Sequence, residues 1–249
     1  MLLKDKVCIV TGAGKGFGRD IAREYYKQGA KLALITRSQE DIEELTVEFK
    51  DTNNRVLCFC GDVSNEYDVE KFIKKAVSVF KTFDVLVNNA GMRFRKDFLE
   101  INSDELDLVL DVNLKSVFFM CQKVLPYMIK NSSGKIINMS SIAGTLGFSG
   151  LSGYVVSKAA IIGLTKSLAV EFADQNIQIN ALAPGFCKTS YFENFQSKKK
   201  LYEFTLSRTP MGRWGESKEV AEVCVFLASN MSNYMTGEVL KVDGGWSAG

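Results

Sequence analysis

The chain has 249 residues, 31 basic and 29 acidic, with a net charge of +2 and 46% hydrophobic residues. That balance excludes a disordered or fibrous chain and leaves no one-signed footprint for nucleic acid or a membrane surface. Histidine is absent. Ser-His-Asp triads, histidine general bases and histidine-ligated metals are therefore excluded, no metal is expected, and proton transfer near neutral pH falls to a tuned Tyr, Lys, Cys or carboxylate.

The first element is Val7 to Thr11, a short apolar run ended by glycine, as in a strand buried on both faces of a parallel sheet. The turn T-G-A-G-K-G-F-G comes next and opens a helix from about Arg19 to Gln28, stopped by Gly29. Lys31 to Thr36 reads as a second strand, and Ser38 as the cap of a helix to about Lys50. Arg55 to Cys60 is a third strand, and Ser64 the cap of a helix to about Phe80 with Val69, Phe72, Ile73, Ala76 and Val77 on one stripe. Asp84 to Val87 makes a fourth strand, running into Asn88-Asn89-Ala90-Gly91.

Ser103 to Lys130 is then helical, with a bend expected near Pro126. Lys135 to Met139 is a fifth strand, succeeded by a long helix that starts near Tyr154 and ends near Phe172. Ile177 to Leu182 is a sixth strand and leads into Ala183-Pro184-Gly185. The stretch Thr189 to Arg213 is irregular and aromatic, with Tyr191, Phe192, Phe195, Tyr202 and Phe204; it is expected to close over a substrate as a lid. Ser217 reads as the cap of a helix to Ala228, and Val239 to Val242 as a seventh strand.

This unbroken alternation predicts an α/β protein: one domain over residues 1–249, a Rossmann-type doubly wound, seven-stranded parallel sheet with helices on both faces. The six cysteines form no C-x-x-C; Cys58 and Cys60 alternate in a strand and read as small buried hydrophobes. The start M-L-L-K-D-K carries no apolar targeting region, and no apolar stretch is long enough to span a membrane, so a cytoplasmic location is expected.

Doubly wound sheets bind ligands at the carboxyl ends of their strands. Gly12 to Gly18, Asp62, Asn88 to Gly91, Ser141 and Pro184-Gly185 all come directly after predicted strands and converge on that edge. The turn Gly12-x-x-x-Gly16-Phe17-Gly18 allows close backbone approach, and the helix behind it offers N–H donors to a pyrophosphate. The second strand ends Thr36-Arg37-Ser38 with no carboxylate until Glu40. An acid there would accept from a ribose 2′-hydroxyl; Arg37 and Lys15 suit a 2′-phosphate, so NADP(H) is favoured over NAD(H).

A hydroxyl at Ser141 precedes Tyr154 by thirteen residues, and Lys158 lies at i+4 from Tyr154 on one helix face. A phenol titrates near 10, and a nearby cation lowers that value; reaching 7 needs about 4 kcal/mol.

Together T-G-A-G-K-G-F-G, N-N-A-G, Asn113, Ser141, Y-V-V-S-K and P-G resemble the classical short-chain dehydrogenases/reductases along the whole chain. The resemblance implies Tyr154 as general acid/base, with Lys158 lowering its pKa and holding the nicotinamide ribose. Ser141 would bind the substrate oxygen and Asn113 a water of the proton relay. Asp62 and Val63 would lie at the adenine. Asn89, Ala90, Gly91, Pro184, Gly185 and Thr189 would line the cofactor. It also implies a homotetramer, to which the apolar helix residues Val117, Phe118, Phe119, Met120, Ile161, Ile162 and Leu164 are suited.

Met92-Arg93-Phe94-Arg95-Lys96, R-T-P-M-G-R-W-G and D-G-G-W are similar to gluconate 5-dehydrogenases and related sugar-acid dehydrogenases, where the position of Arg95 lies in the substrate pocket. Arg93 and Arg95 would point the same way on an extended segment and clamp a carboxylate. Two alternatives stay open: a 3-oxoacyl-(acyl-carrier-protein) reductase, and a non-catalytic NADP-binding regulator on the same fold.

Overall fold

The computed structural model describes residues 1–50, 55–189 and 192–249. In chain order the strands and helices are β1 (Val7–Thr11), α1 (Gly16–Lys27), β2 (Lys31–Thr36), α2 (Gln39–Glu48), β3 (Val56–Cys60), α3 (Glu66–Phe80), β4 (Val85–Asn88), α4 (Ser103–Leu110), α5 (Ser116–Lys130), β5 (Gly134–Met139), α6 (Ser152–Phe172), β6 (Ile177–Pro184), β7 (Cys187–Lys188), α7 (Phe192–Gln196), α8 (Lys199–Arg208), β8 (Gly215–Glu216), α9 (Ser217–Ala228) and β9 (Val239–Val242). Seven strands pair in the order β3-β2-β1-β4-β5-β6-β9, every pair parallel. The chain winds outward from β1 to β3, then crosses to β4 on the other side of β1. That reversal opens a crevice at the carboxyl ends of β1 and β4.

Side-chain alternation splits β1 between two apolar layers. Cys8 and Val10 pack with Ile21, Ala22 and Tyr25 of α1 and Val220, Ala221 and Cys224 of α9. Val7 and Ile9 pack with Phe72 of α3, Val124 of α5 and Ile161 of α6. The central strands are thus buried on both faces, which is why they read as near-continuous apolar runs. Tyr25 is fully buried, and its hydroxyl donates to Cys224 O at 3.0 Å, so α1 and α9 are joined by a polar contact inside their apolar seam.

Several expectations are corrected. Pro126 does not end the long helix but sits inside α5; the regular α-helical run is interrupted earlier, by a π turn, Asp111–Lys115, between α4 and α5. α3 is capped by the Asn65 side chain, and Ser64 instead donates its hydroxyl to Asp62 Oδ1 at 2.7 Å. α9 is capped by Glu216 and Glu219 reciprocally, so Ser217 is its first residue rather than its cap. Cys60 is exposed and Cys58 half-buried. Residues 192–208 are more regular than their pattern suggested, forming α7 and α8 between the two strands of the β7–β8 ribbon; Tyr191 lies outside the described residues. Among the described residues no helix is long and apolar enough to cross a membrane.

A buried polar chain fastens the central strands to α6. Asn88 Nδ2 donates to Asn138 Oδ1 at 2.8 Å, and Asn138 Nδ2 donates to Thr165 Oγ1 at 2.9 Å. Asn138→Ala would strand a buried amide and a buried hydroxyl at once. It is expected to cost about 2–4 kcal/mol in urea unfolding, since each orphaned group costs about 1–3; a loss under about 1 kcal/mol would show that the chain does not hold β4 and β5 to α6.

Candidate active site

The crevice at the switch point is a cavity of about 440 Å³ lined from several strand ends. Its floor is the glycine turn between β1 and α1. A Cβ on Gly18 would stand 2.1 Å from Gly12 O, so this approach of helix to turn admits no side chain. The N-cap residue of α1, Lys15, makes no side-chain capping bond, which leaves the first N–H groups of the helix to the cavity. The turn is tied to the end of β4: Thr11 Oγ1 accepts from Asn89 N and Ala90 N, both at 3.0 Å, and Asn89 Nδ2 donates to Thr11 O and Gly12 O. An uncapped helix end beside a glycine-rich turn fits a pyrophosphate, so these residues suit a dinucleotide.

At the β2 end the cavity wall is Thr36, Arg37 and Asp41. Asp41 is 6% exposed, in the first turn of α2. Its Oδ2 accepts from Thr36 Oγ1 at 3.3 Å, and its Oδ1 has no hydrogen bond but lies 3.4 Å from Lys15 Nζ. A Cβ on Gly14 would meet that carboxylate at 2.1 Å, so Gly14 is what lets it reach the turn. The expectation of no acid near the ribose is therefore corrected. The β2 end itself has none, but α2 folds Asp41 back to the same place. The sequence signal was the residue after Glu40, on the helix face that turns toward the sheet.

The middle of the cavity brings together Ser141, Tyr154 and Lys158. Ser141 lies just beyond β5, and its Oγ accepts from Ala143 N at 3.1 Å. That bond occupies a lone pair and leaves the hydroxyl proton to be donated. Tyr154 and Lys158 share a face of α6. The Lys158 ammonium lies 5.7 Å from the Tyr154 ring centre and donates to Met139 O at 2.8 Å. Lys158 is 5% exposed, and burial pushes its ammonium down to about 8.

Of the other expected positions, Gly12, Lys15, Gly16, Phe17, Arg37, Asn89, Ala90, Gly91, Pro184, Gly185 and Thr189 line the cavity. Gly18 underlies the turn, while Asp62 and Val63 are off the cavity wall, Asp62 being engaged by Ser64. Asn113 is fully buried in the π turn. Its Oδ1 accepts from Met92 N at 2.7 Å, and its Nδ2 donates to Met92 O at 2.9 Å and Ser157 Oγ at 3.0 Å. The side chain thus pins the loop after β4 and ties it to α6. Arg95 is exposed beside Gly150 and is not on the wall; Arg93 is. The two do not form the expected pair. The substrate end also contains Phe148, Leu151, Phe186, Phe195 and Trp214. Phe186 could have been noticed as the residue directly after Pro184-Gly185; the rest come from distant segments.

The chain matches the family model described as enoyl-(acyl carrier protein) reductase over residues 12–247. It is 40% identical over 245 residues to the 3-oxoacyl-(acyl-carrier-protein) reductase FabG of Thermotoga maritima, covering 98% of this chain and 99% of that protein. A gluconate 5-dehydrogenase from Burkholderia cenocepacia, solved with NADP and tartrate, superposes with a TM-score of 0.94 at 32% identity, covering 99% of this chain and 97% of the other. Levodione reductase superposes with a TM-score of 0.93 at 34% identity, covering 99% of each chain.

The buried lysine has a measurable consequence for stability. Unfolded lysine titrates near 10.4, so between about pH 8 and 10.4 the unfolded chain holds a proton at residue 158 that the folded chain has released. More protons on the unfolded side means stability rising with pH across that window, by about 3 kcal/mol for this group. Lys158→Met is expected to lose that increment, read as the difference between the two proteins in urea unfolding at the ends of the window. Lys135, pushed down to about 8 by burial and by the Lys6 charge, acts in both proteins and cancels. Parallel pH profiles would mean Lys158 is solvated.

Proposed function

The chain belongs to the short-chain dehydrogenase/reductase family, and on that footing we propose that it interconverts a carbonyl and a secondary alcohol with NADP(H), using Tyr154 as acid/base. The observation that carries this reading is one cavity shared by a glycine-rich turn at a helix N-terminus and by Ser141, Tyr154 and Lys158. The dinucleotide, when bound, supplies or accepts the hydride.

In reduction the Tyr154 hydroxyl gives its proton to the substrate oxygen, and in oxidation the phenolate takes it back. Ser141, with a lone pair already engaged by Ala143 N–H, donates to the same oxygen and stabilises the developing alkoxide. Lys158, buried on the same helix face, favours the phenolate by its charge. It is also the group suited to hold the nicotinamide ribose. Asn113 acts at one remove, by fixing Met92 and so the loop that closes this end.

The relatives leave two substrate readings. FabG supports a 3-oxoacyl thioester, and the gluconate 5-dehydrogenase neighbour supports a sugar acid. Assembly as a homotetramer is supported by Phe118, Val156 and Val170, apolar residues left exposed on α5 and α6. The segment 189–213 we read as the substrate lid of a single domain.

Tyr154→Phe keeps the ring and removes the proton. Turnover is expected to fall by roughly 10²–10⁴-fold while dinucleotide binding persists; near-full turnover would move the acid/base elsewhere.

For the cofactor, Arg37 is the cation suited to a 2′-phosphate, since Lys15 is drawn to Asp41. A charge-assisted bond contributes about 1.5–3 kcal/mol. Arg37→Ala should therefore weaken NADPH about tenfold or more and spare NADH. Asp41→Asn should release Lys15 and move the preference the other way. Calorimetric titration with both dinucleotides checks this, and equal effects on the two would remove Arg37 from the 2′-phosphate site.

A further inference from the structure

The far wall of the cavity decides what kind of carbonyl compound fits, given the hydride-transfer reading above. Phe186 is at its centre, directly after the strand end that carries Pro184 and Gly185. Its ring centre lies 5.8 Å from Phe195, 5.3 Å from Trp214 and 4.7 Å from Trp246. Phe195 and Trp214 are themselves 4.9 Å apart, and Trp246 stacks on Phe148 at 6.4 Å. Rings from the β5–α6 loop, the β6 end, α7, the approach to β8 and the carboxyl-terminal turn thus form one continuous surface. Phe148, Phe186, Phe195 and Trp214 face the same cavity as Ser141 and Tyr154.

Among the described residues, the ring side chains of this surface offer few polar atoms to the cavity. The indole N–H of Trp214 is already given to Thr205 Oγ1 at 2.8 Å. The phenylalanines have no polar side-chain atom, and Leu151 adds another apolar patch. A polyhydroxylated chain laid against such a wall would lose water from its hydroxyls without replacement. Each buried hydroxyl then costs roughly ten- to a hundredfold in affinity. A flat ring or acyl body loses nothing and gains the aromatic contact. Two guanidinium groups lie against these rings: Arg208 is 5.2 Å from the Trp246 ring centre, off the cavity wall, and Arg93 is 5.8 Å from the Phe195 ring centre and lines the cavity. A guanidinium is a planar fork that can take a carboxylate through two N–H donors.

We propose that the substrate is a ketone with an apolar ring or acyl body and a single carboxylate: the body packs on Phe148, Phe186, Phe195 and Trp214, and the acid is held by Arg93. The sugar-acid reading shares the carboxylate but not the body.

The test uses 3-oxo-3-phenylpropanoate, its ethyl ester and 5-ketogluconate, with NADPH oxidation as the rate. The phenyl keto acid is expected to exceed 5-ketogluconate by about a hundredfold or more in kcat/KM. Arg93→Ala should raise KM for the acid about tenfold and leave the ester within about twofold, a split that a merely structural arginine would not produce. Both tryptophans of the chain, Trp214 and Trp246, belong to the aromatic surface. With the oxidised dinucleotide present, so that nothing turns over, the phenyl keto acid should therefore quench the intrinsic fluorescence saturably.

Preference for 5-ketogluconate, or equal losses for acid and ester in Arg93→Ala, would overturn this inference and leave the reaction reading intact. Saturable quenching with no turnover of any ketone would do the reverse, supporting the binding surface while removing the hydride-transfer reading. A phenyl keto acid that neither quenches nor reacts overturns the inference.

Discussion

A cation kept out of water organises this molecule's chemistry. Lys158 is almost wholly buried, its ammonium donates to one backbone carbonyl, and burial alone lowers its proton affinity. Such a group is unfavourable where it stands. The surroundings over-determine it: Ser140 Oγ donates to Lys158 O at 2.9 Å, and Met139 and Ser140 belong to the end of β5, an interior strand of the sheet. The same strand end therefore places the hydroxyl of Ser141 and restrains the lysine. A site built on a strand end and a helix face is held more firmly than one built on loops.

The second dependence is between strand ends. Thr11 closes β1, and its hydroxyl and carbonyl together bind the loop beyond β4. Asn113 binds the next residues of that loop from the π turn between α4 and α5. A π turn inserts an extra residue into a helix and rotates the next helical turns about the axis; here it turns an asparagine inward where an uninterrupted helix would have carried the register past it. The glycine turn, the loop after β4 and α6 are thereby coupled through side-chain hydrogen bonds that are at least partly buried, rather than through surface ion pairs, which contribute little.

The two ends of the cavity contrast in chemistry. One end has a bare backbone, Arg37 and the Lys15–Asp41 pair. The other has rings that touch each other and a guanidinium on one of them. Charge and N–H donors suit phosphates; an apolar wall suits a carbon skeleton. Between them lie Ser141 and Tyr154, where the two ligands would have to meet.

By itself the sequence determined what depends on local pattern. Apolar runs placed the seven strands in the chain, because burial on both faces leaves a signal that needs no knowledge of neighbours. Short-range spacing brought Tyr154 and Lys158 to one helix face, and the glycines located the phosphate turn. What only the tertiary structure decided are contacts between distant segments. Asp41 reaches the cofactor turn because Gly14 leaves room for it across a gap of many residues. Arg93 rather than Arg95 lines the cavity, in a loop whose Met92 backbone is bound by Asn113 and which strand-like alternation does not govern. Phe148, Phe186, Phe195, Trp214 and Trp246 are scattered along the chain, and ring-to-ring packing has no sequence period. Their common surface exists only once the sheet has wound back on itself and brought separate segments to one edge.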